Sequence, residues 1–192
     1  MTTTPWRTLL NQAFGQSADP AARFLQLATV RPDGRPANRT LVFRGFLPGS
    51  DRLCFATDVR SGKVEQIAFR PWGEVCWYFA ATREQFRLAG PLDLVTADDP
   101  DQARLDARRE VWAALSDAAR AQYAWPQPGA DRAPDAAFAA PPGVPGRPLP
   151  SFGLLLLNPT EVDHLELAPD PHRRTRYRRG PDGDWDVRPV NP

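Results

Sequence analysis

Two short stretches hold the residue types best suited to chemistry. Thr57-Asp58-Val59-Arg60-Ser61-Gly62-Lys63 combines hydroxyls, a glycine, two cations and the start of a helix, whose first N–H groups have no intrahelical partner. Those groups suit a phosphate cradle, although a capped helix with surface charges fits the same letters. Upstream, Asn38–Arg44 reads as a strand with Arg39, Leu41 and Phe43 on one face and Arg44 on the other. An arginine there needs a partner, and an ordinary salt bridge or a solvated edge would serve. Of 24 basic residues Lys63 is the one lysine, a compact charge suited to phosphate.

Other chemistry is thin. Ser50, Ser61, Ser116 and Ser151 lack a Gly-x-Ser-x-Gly context, and the two histidines, His164 and His172, leave few options for a base. Cys54 and Cys76 lie in apolar runs without Cys-x-x-Cys spacing, so they read as small buried hydrophobes and no metal site is expected. Neither a Gly-x-Gly-x-x-Gly turn nor a phosphate loop ending Gly-Lys-Ser/Thr occurs. Such poverty is expected where a cofactor carries the reaction and the protein orients it.

The elements that position these residues follow from hydrophobic period. Pro5, Trp6, Leu9, Leu10, Ala13 and Phe14 predict a short amphipathic helix. Strands are predicted at 23–30, 36–46, 52–57, 74–80 and 85–95, with a helix at 62–69 opened by Ser61 and stopped by Pro71. Asp101–Ala124 predicts a helical region, and eight prolines between Pro126 and Pro150 predict a long, mobile loop or arm. Strands at 152–157 and 162–167 and a hairpin of 173–179 with 185–190 complete the chain. Runs of antiparallel strands with two helical interruptions suggest a partly closed barrel.

The chain has 192 residues, 42% hydrophobic and 24% charged, which fits one domain spanning 1–192. A net charge of +1 gives no long-range field toward nucleic acid or membrane. Five arginines surround Tyr177 in 173–179, but strand alternation scatters them to both faces, so no nucleic-acid partner is expected. With no apolar run near bilayer length and no signal-peptide start, no membrane association and a cytoplasmic location are expected.

Taken in order, Arg39-Thr40-Leu41-Val42-Phe43-Arg44, Leu53-Cys54-Phe55-Ala56-Thr57 and Arg60-Ser61-Gly62-Lys63-Val64-Glu65-Gln66-Ile67 resemble the pyridoxamine 5'-phosphate oxidase family. Glu84–Gly90, Pro148–Phe152, His172-Arg173-Arg174, Trp185 and the closing Val190-Asn191-Pro192 extend the likeness over nearly all of the chain from Arg23. The tail is most similar to the branch with cyanobacterial and plant relatives. The resemblance implies a mainly β fold with α, a Greek-key-like FMN-binding split barrel with flanking helices, and a homodimer with FMN at the subunit interface.

The same resemblance implies a cofactor set of Arg39, Thr40, Leu41, Val42, Arg44, Thr57, Arg60, Ser61, Lys63, Gln85 and Arg174. Arg39, Thr57, Ser61 and Lys63 fall on the phosphate and ribityl side, and Leu41, Val42 and Gln85 beside the isoalloxazine. His172 stands at a substrate-side histidine, a candidate acid or base, and Arg44 stands in for the usual lysine.

Departures accompany these matches. Gly62 occupies the place of a phosphate-binding arginine, which Arg60 is positioned to replace, and Leu165 replaces a flavin-side tryptophan. Trp112, Ser116 and Arg120 stand where Tyr, Arg and Ser hold the vitamin's phosphate, and Asp170 stands at a substrate-side arginine. An anionic substrate is therefore expected to be held poorly in the classical way. The expected function is an FMN-dependent oxidoreductase of a small organic substrate, the alternative a non-catalytic FMN-binding dimer serving as carrier, sensor or interaction module.

Overall fold

The computed structural model describes residues 4–192. Nine strands form one antiparallel sheet: β1 Phe24–Val30, β2 Pro36–Phe46, β3 Leu53–Asp58, β4 Trp72–Phe79, β5 Glu84–Val95, β6 Phe152–Leu157, β7 Glu161–Glu166, β8 Arg173–Arg179 and β9 Trp185–Val190. Their order is β4-β1-β2-β3-β6-β5-β7-β8-β9, and a β4–β5 pairing closes the first six into a barrel. The expected split barrel is thus formed, with β7–β9 as an extension.

The split follows from β5, which serves two neighbours on one edge. Its residues 84–89 pair with β7 and its residues 92–95 with β6. The chain crosses between them at Asn158–Thr160, against Gly90. A Cβ at Gly90 would lie 2.0 Å from the Asn158 carbonyl oxygen, so only glycine fits the crossing. On the far side of the barrel, β3 joins β2 only from Phe43, across a bulge containing Gly45 at φ +112°. Residues 36–42 of β2 pair with β1 alone, so the barrel opens along their other edge.

The barrel is filled by Leu25, Leu27, Phe43, Phe55, Val75, Trp77, Phe79 and Leu155, each buried. Helix α1, Pro5–Gly15, lays Trp6, Leu10 and Ala13 over one end, with Trp6 against Phe46 and Trp185. Helix α2, Gly62–Phe69, lies at the opposite end, where it buries Ile67. Strand β6 is buried at every position because its outer face meets Ala107 and its neighbours on α3, Gln102–Ala113. Its unbroken Phe-Gly-Leu-Leu-Leu-Leu run records that two-sided burial.

The expected helical region 101–124 is formed, with a break: α3 stops at Ala113, and α4, Asp117–Ala121, restarts from Ser116, whose hydroxyl accepts from Ala119 N at 3.3 Å. The proline-rich stretch forms no strand, as expected, and its C-terminal part is fastened to the helices before it. Arg120 donates to Gly143 O at 3.0 Å, Trp112 Nε1 to Val144 O at 2.8 Å, and Arg108 to Leu149 O and Phe152 O at 2.9 and 2.7 Å. No helix of the described residues is long and apolar enough to cross a membrane.

Candidate functional site

Arg39 and Lys63 come together at the α2 end of the barrel. The alternation that sends Leu41 and Phe43 into the core turns Arg39 the same way, but at a level where the neighbours are polar. Its guanidinium donates to Leu27 O at 3.2 Å, Thr29 Oγ1 at 2.6 Å and Gln66 Oε1 at 2.7 Å. Lys63, one residue into α2, donates to Thr57 Oγ1 at 2.9 Å and Ser61 Oγ at 2.7 Å. Burial pushes Lys63 below the usual lysine range, and the nearby Arg39 charge adds to the shift.

Among the described residues neither cation forms an ion pair, whereas Arg60, Arg87, Arg104 and Arg174 all hold carboxylates. Two half-buried cations thus share one opening with two hydroxyls. No side chain caps α2, since the Ser61 hydroxyl donates to Asp58 O at 2.7 Å instead. Charge, donors and helix terminus all fit the phosphate of a bound FMN.

Arg60 is placed differently from a direct phosphate ligand. It grips Asp58 through Nε at 3.0 Å and Nη2 at 2.6 Å, and donates to Trp125 O at 3.0 Å and Tyr123 O at 3.3 Å. It therefore neutralises the acid nearest Lys63 and ties the loop to the segment after α4. Gly62 has open space around the position of a Cβ.

The outer face of the sheet forms a grid. Val42 stands opposite Phe24, Tyr78 opposite Gln85, Gln85 opposite Leu165, and Leu165 opposite Arg174. The β1–β4 register, with Gln26 opposite Cys76, sets Phe24 beside Tyr78. One row across six strands thus carries Val42, Phe24, Tyr78, Gln85, Leu165 and Arg174. Phe24 and Tyr78 are half-exposed there, at 50% and 48%. The next row is polar, with Cys76, Arg87, Asp163 and Arg176.

Within this grid Gln85 accepts from Cys76 Sγ at 3.6 Å, and Arg174 pairs with Asp163 through Nε and Nη2 at 2.9 and 2.8 Å. That pair holds the Asp163 carboxyl below its usual range against the opposing effect of burial. Leu41 sends its side chain into the core, and Thr40 is exposed on the opposite face. Arg44 is exposed near Tyr123, whose hydroxyl burial pushes up to about 12.

His172 is exposed between β7 and β8 and its Nδ1 bonds Pro169 O at 3.0 Å, leaving Nε2 to face outward. Trp112 and Arg120 are buried, and both they and Ser116 bind the protein's own backbone. Three residues escaped the sequence reading. Gln66 and Thr29 meet Arg39, a contact signalled only by the Lys63-x-x-Gln66 spacing on one helical turn. His164, buried and stacked on Phe86, bonds Glu84 at 2.6 Å.

Comparison with known proteins agrees with this geometry. The family model described as pyridoxamine 5'-phosphate oxidase, FMN-binding domain, matches residues 3–96. Pyridoxine/pyridoxamine 5'-phosphate oxidase 2 of Arabidopsis thaliana is 41% identical over 165 residues, 85% of this chain and 83% of the plant protein. A crystal structure of a pyridoxamine 5'-phosphate oxidase-related, FMN binding protein from Nostoc punctiforme superposes with a TM-score of 0.96 at 50% identity, covering all of both chains. PhzG from Burkholderia lata shares the fold at a TM-score of 0.76 and 23% identity, over 97% of this chain and 90% of its own. The barrel, its cationic opening and these relatives agree: the chain belongs to the pyridoxamine 5'-phosphate oxidase family and carries its FMN-binding domain.

Proposed function

We propose that the protein is an FMN-dependent oxidoreductase acting on a small organic molecule, as a homodimer with an FMN site at each end of the subunit interface. The observation that carries this reading is the Arg39–Lys63 pair, two cations left without carboxylates beside Thr57 and Ser61. A phosphate placed there turns mutual repulsion into attraction. Bound FMN supplies the redox step between the substrate and oxygen or another acceptor.

The chain's own residues bind and orient. Arg39, Thr57, Ser61 and Lys63 hold the phosphate, while Val42, Gln85 and Arg174 border the ring. Gln85 is oriented by its contact with Cys76. The outward Nε2 of His172 takes or gives a proton at the substrate side. Two chains are needed, because β2 and β8 are five strand spacings apart, about 24 Å along the sheet. Side chains on a convex surface diverge, so Val42 and Arg174 meet on one ring only when two outer faces pack together.

The substrate is held without the classical phosphate contacts, since Trp112, Ser116 and Arg120 are committed to the backbone. Anaerobic mixing of FMN-loaded protein with pyridoxine, pyridoxamine and their 5'-phosphates tests this, read as loss of oxidised flavin absorbance. Reduction by one of them, with product on readmitting oxygen and less than about tenfold advantage from the 5'-phosphate, is the expected result. An advantage of 100-fold or more would return the phosphate to the substrate site, and reduction by none would favour a non-catalytic carrier. Arg39→Ala and Lys63→Ala should each weaken FMN binding by ~1.5–3 kcal/mol.

A further inference from the structure

We infer that Gln66 is a positioning residue for the cofactor phosphate: its neutral amide aims the Arg39 guanidinium while leaving the positive charge uncancelled. The inference rests on the FMN reading and adds a residue to which that reading gives no role. Gln66 Oε1 accepts from Arg39 Nη2 at 2.7 Å and from Thr29 Oγ1 at 2.6 Å, while Arg39 Nη1 donates to the same Thr29 hydroxyl at 2.6 Å. Both contacts on Oε1 come from donors, so the oxygen, not the nitrogen, must face Arg39. The three side chains form a closed ring of hydrogen bonds, completed by Leu27 O on the second guanidinium nitrogen.

The choice of acceptor matters because Arg60, on the loop that leads to Lys63, is paired differently: a carboxylate, Asp58, balances its charge. An amide reaches Arg39 from α2 with the same length as a glutamate would, but it leaves the cation attractive to an anion. It also spans the opening: α2 carries Lys63 and Gln66 one turn apart, so the helix that supplies one cation fixes the direction of the other. Loss of that fixation leaves Arg39 held through Nη1 alone, by Thr29 and Leu27 O, with Nη2 unaimed. A glutamate in its place would hold Arg39 firmly and cancel its charge.

The test compares FMN with riboflavin, which lacks the phosphate, by quenching of flavin fluorescence, together with thermal unfolding of the flavin-free protein. Gln66→Glu should weaken FMN binding by about 10- to 100-fold, the range for losing a hydrogen bond to a charged group. Riboflavin affinity should stay within about twofold by the same reasoning, and the flavin-free protein should melt no lower, since an ion pair replaces a neutral contact. Gln66→Met, which keeps the length and removes the acceptor, should lose part of the FMN preference without a change in riboflavin affinity. Equal weakening of both flavins by both variants, or an unchanged FMN preference in both, would overturn the role of Gln66. If the wild-type protein itself bound FMN no more tightly than riboflavin, the phosphate cradle would fail instead. Should Gln66→Glu not fold, Gln66→Met decides alone.

Discussion

Lys63 is held below the ordinary lysine range by burial first and the Arg39 charge second, with Asp58 opposing. In the flavin-free protein, stability therefore rises with pH between the folded and unfolded Lys63 pKa values, because the unfolded chain alone holds the proton there. FMN binding has the opposite slope. It is fully present below the folded pKa and is lost as pH rises through it, since a neutral amine offers the phosphate no charge. FMN titrations from neutral to alkaline pH should show affinity falling below the usual lysine range. Lys63→Met should flatten that profile; an unchanged profile in the variant would assign the titration elsewhere. At this scale the sequence named the cations but not their partners. Arg60 bonds carbonyls of Tyr123 and Trp125 more than sixty positions away, which no local pattern records.

At the level of elements, two glycines make opposite predictions. At Gly90 a Cβ would meet the Asn158 carbonyl oxygen and carbon at 2.0 and 2.9 Å, and both are backbone. Gly90→Ala should destabilise by at least the upper end of the ~1–3 kcal/mol typical of overpacking, seen as a lower denaturation midpoint. At Gly62 nothing lies within 4 Å and the residue is helical, so Gly62→Ala should raise stability by ~0.4–1 kcal/mol. Strand positions were legible because alternation and turns are local, as with the 36–46 and 152–157 runs. The split of β5 between two partners was not, because Gly90 looks like any strand glycine until Asn158 lies against it. The break after α3 was hidden likewise: Ser116 is a good cap, but only a buried Leu115 and Arg120 make the chain turn there.

For the molecule as a whole, the homodimer reading makes the outer grid an interface. Sedimentation should give twice the chain mass of 21.3 kDa. Tyr78→Asp, in the middle of the apolar row, should shift the protein to monomer and weaken FMN binding together. A monomeric wild type that still binds FMN tightly would exclude the shared site. On that reading Cys76, within the grid, should react readily with thiol reagents only when the two faces part, whereas Cys54, buried beneath α3 with its thiol pushed up to about 12, should stay unreactive until the fold itself opens. The fastened proline-rich segment has a wider consequence. Arg108, Trp112 and Arg120 grip it by carbonyl oxygens, which every residue type carries. The exceptions are Phe138, packed on Trp125, Leu149, packed against Trp112 and Phe152, and Gly143, where a Cβ would strike the Trp112 ring at 2.6 Å; the remaining side chains carry little structural duty. The segment is a place where new side chains can be written on an FMN-binding domain without rebuilding the barrel that supports it.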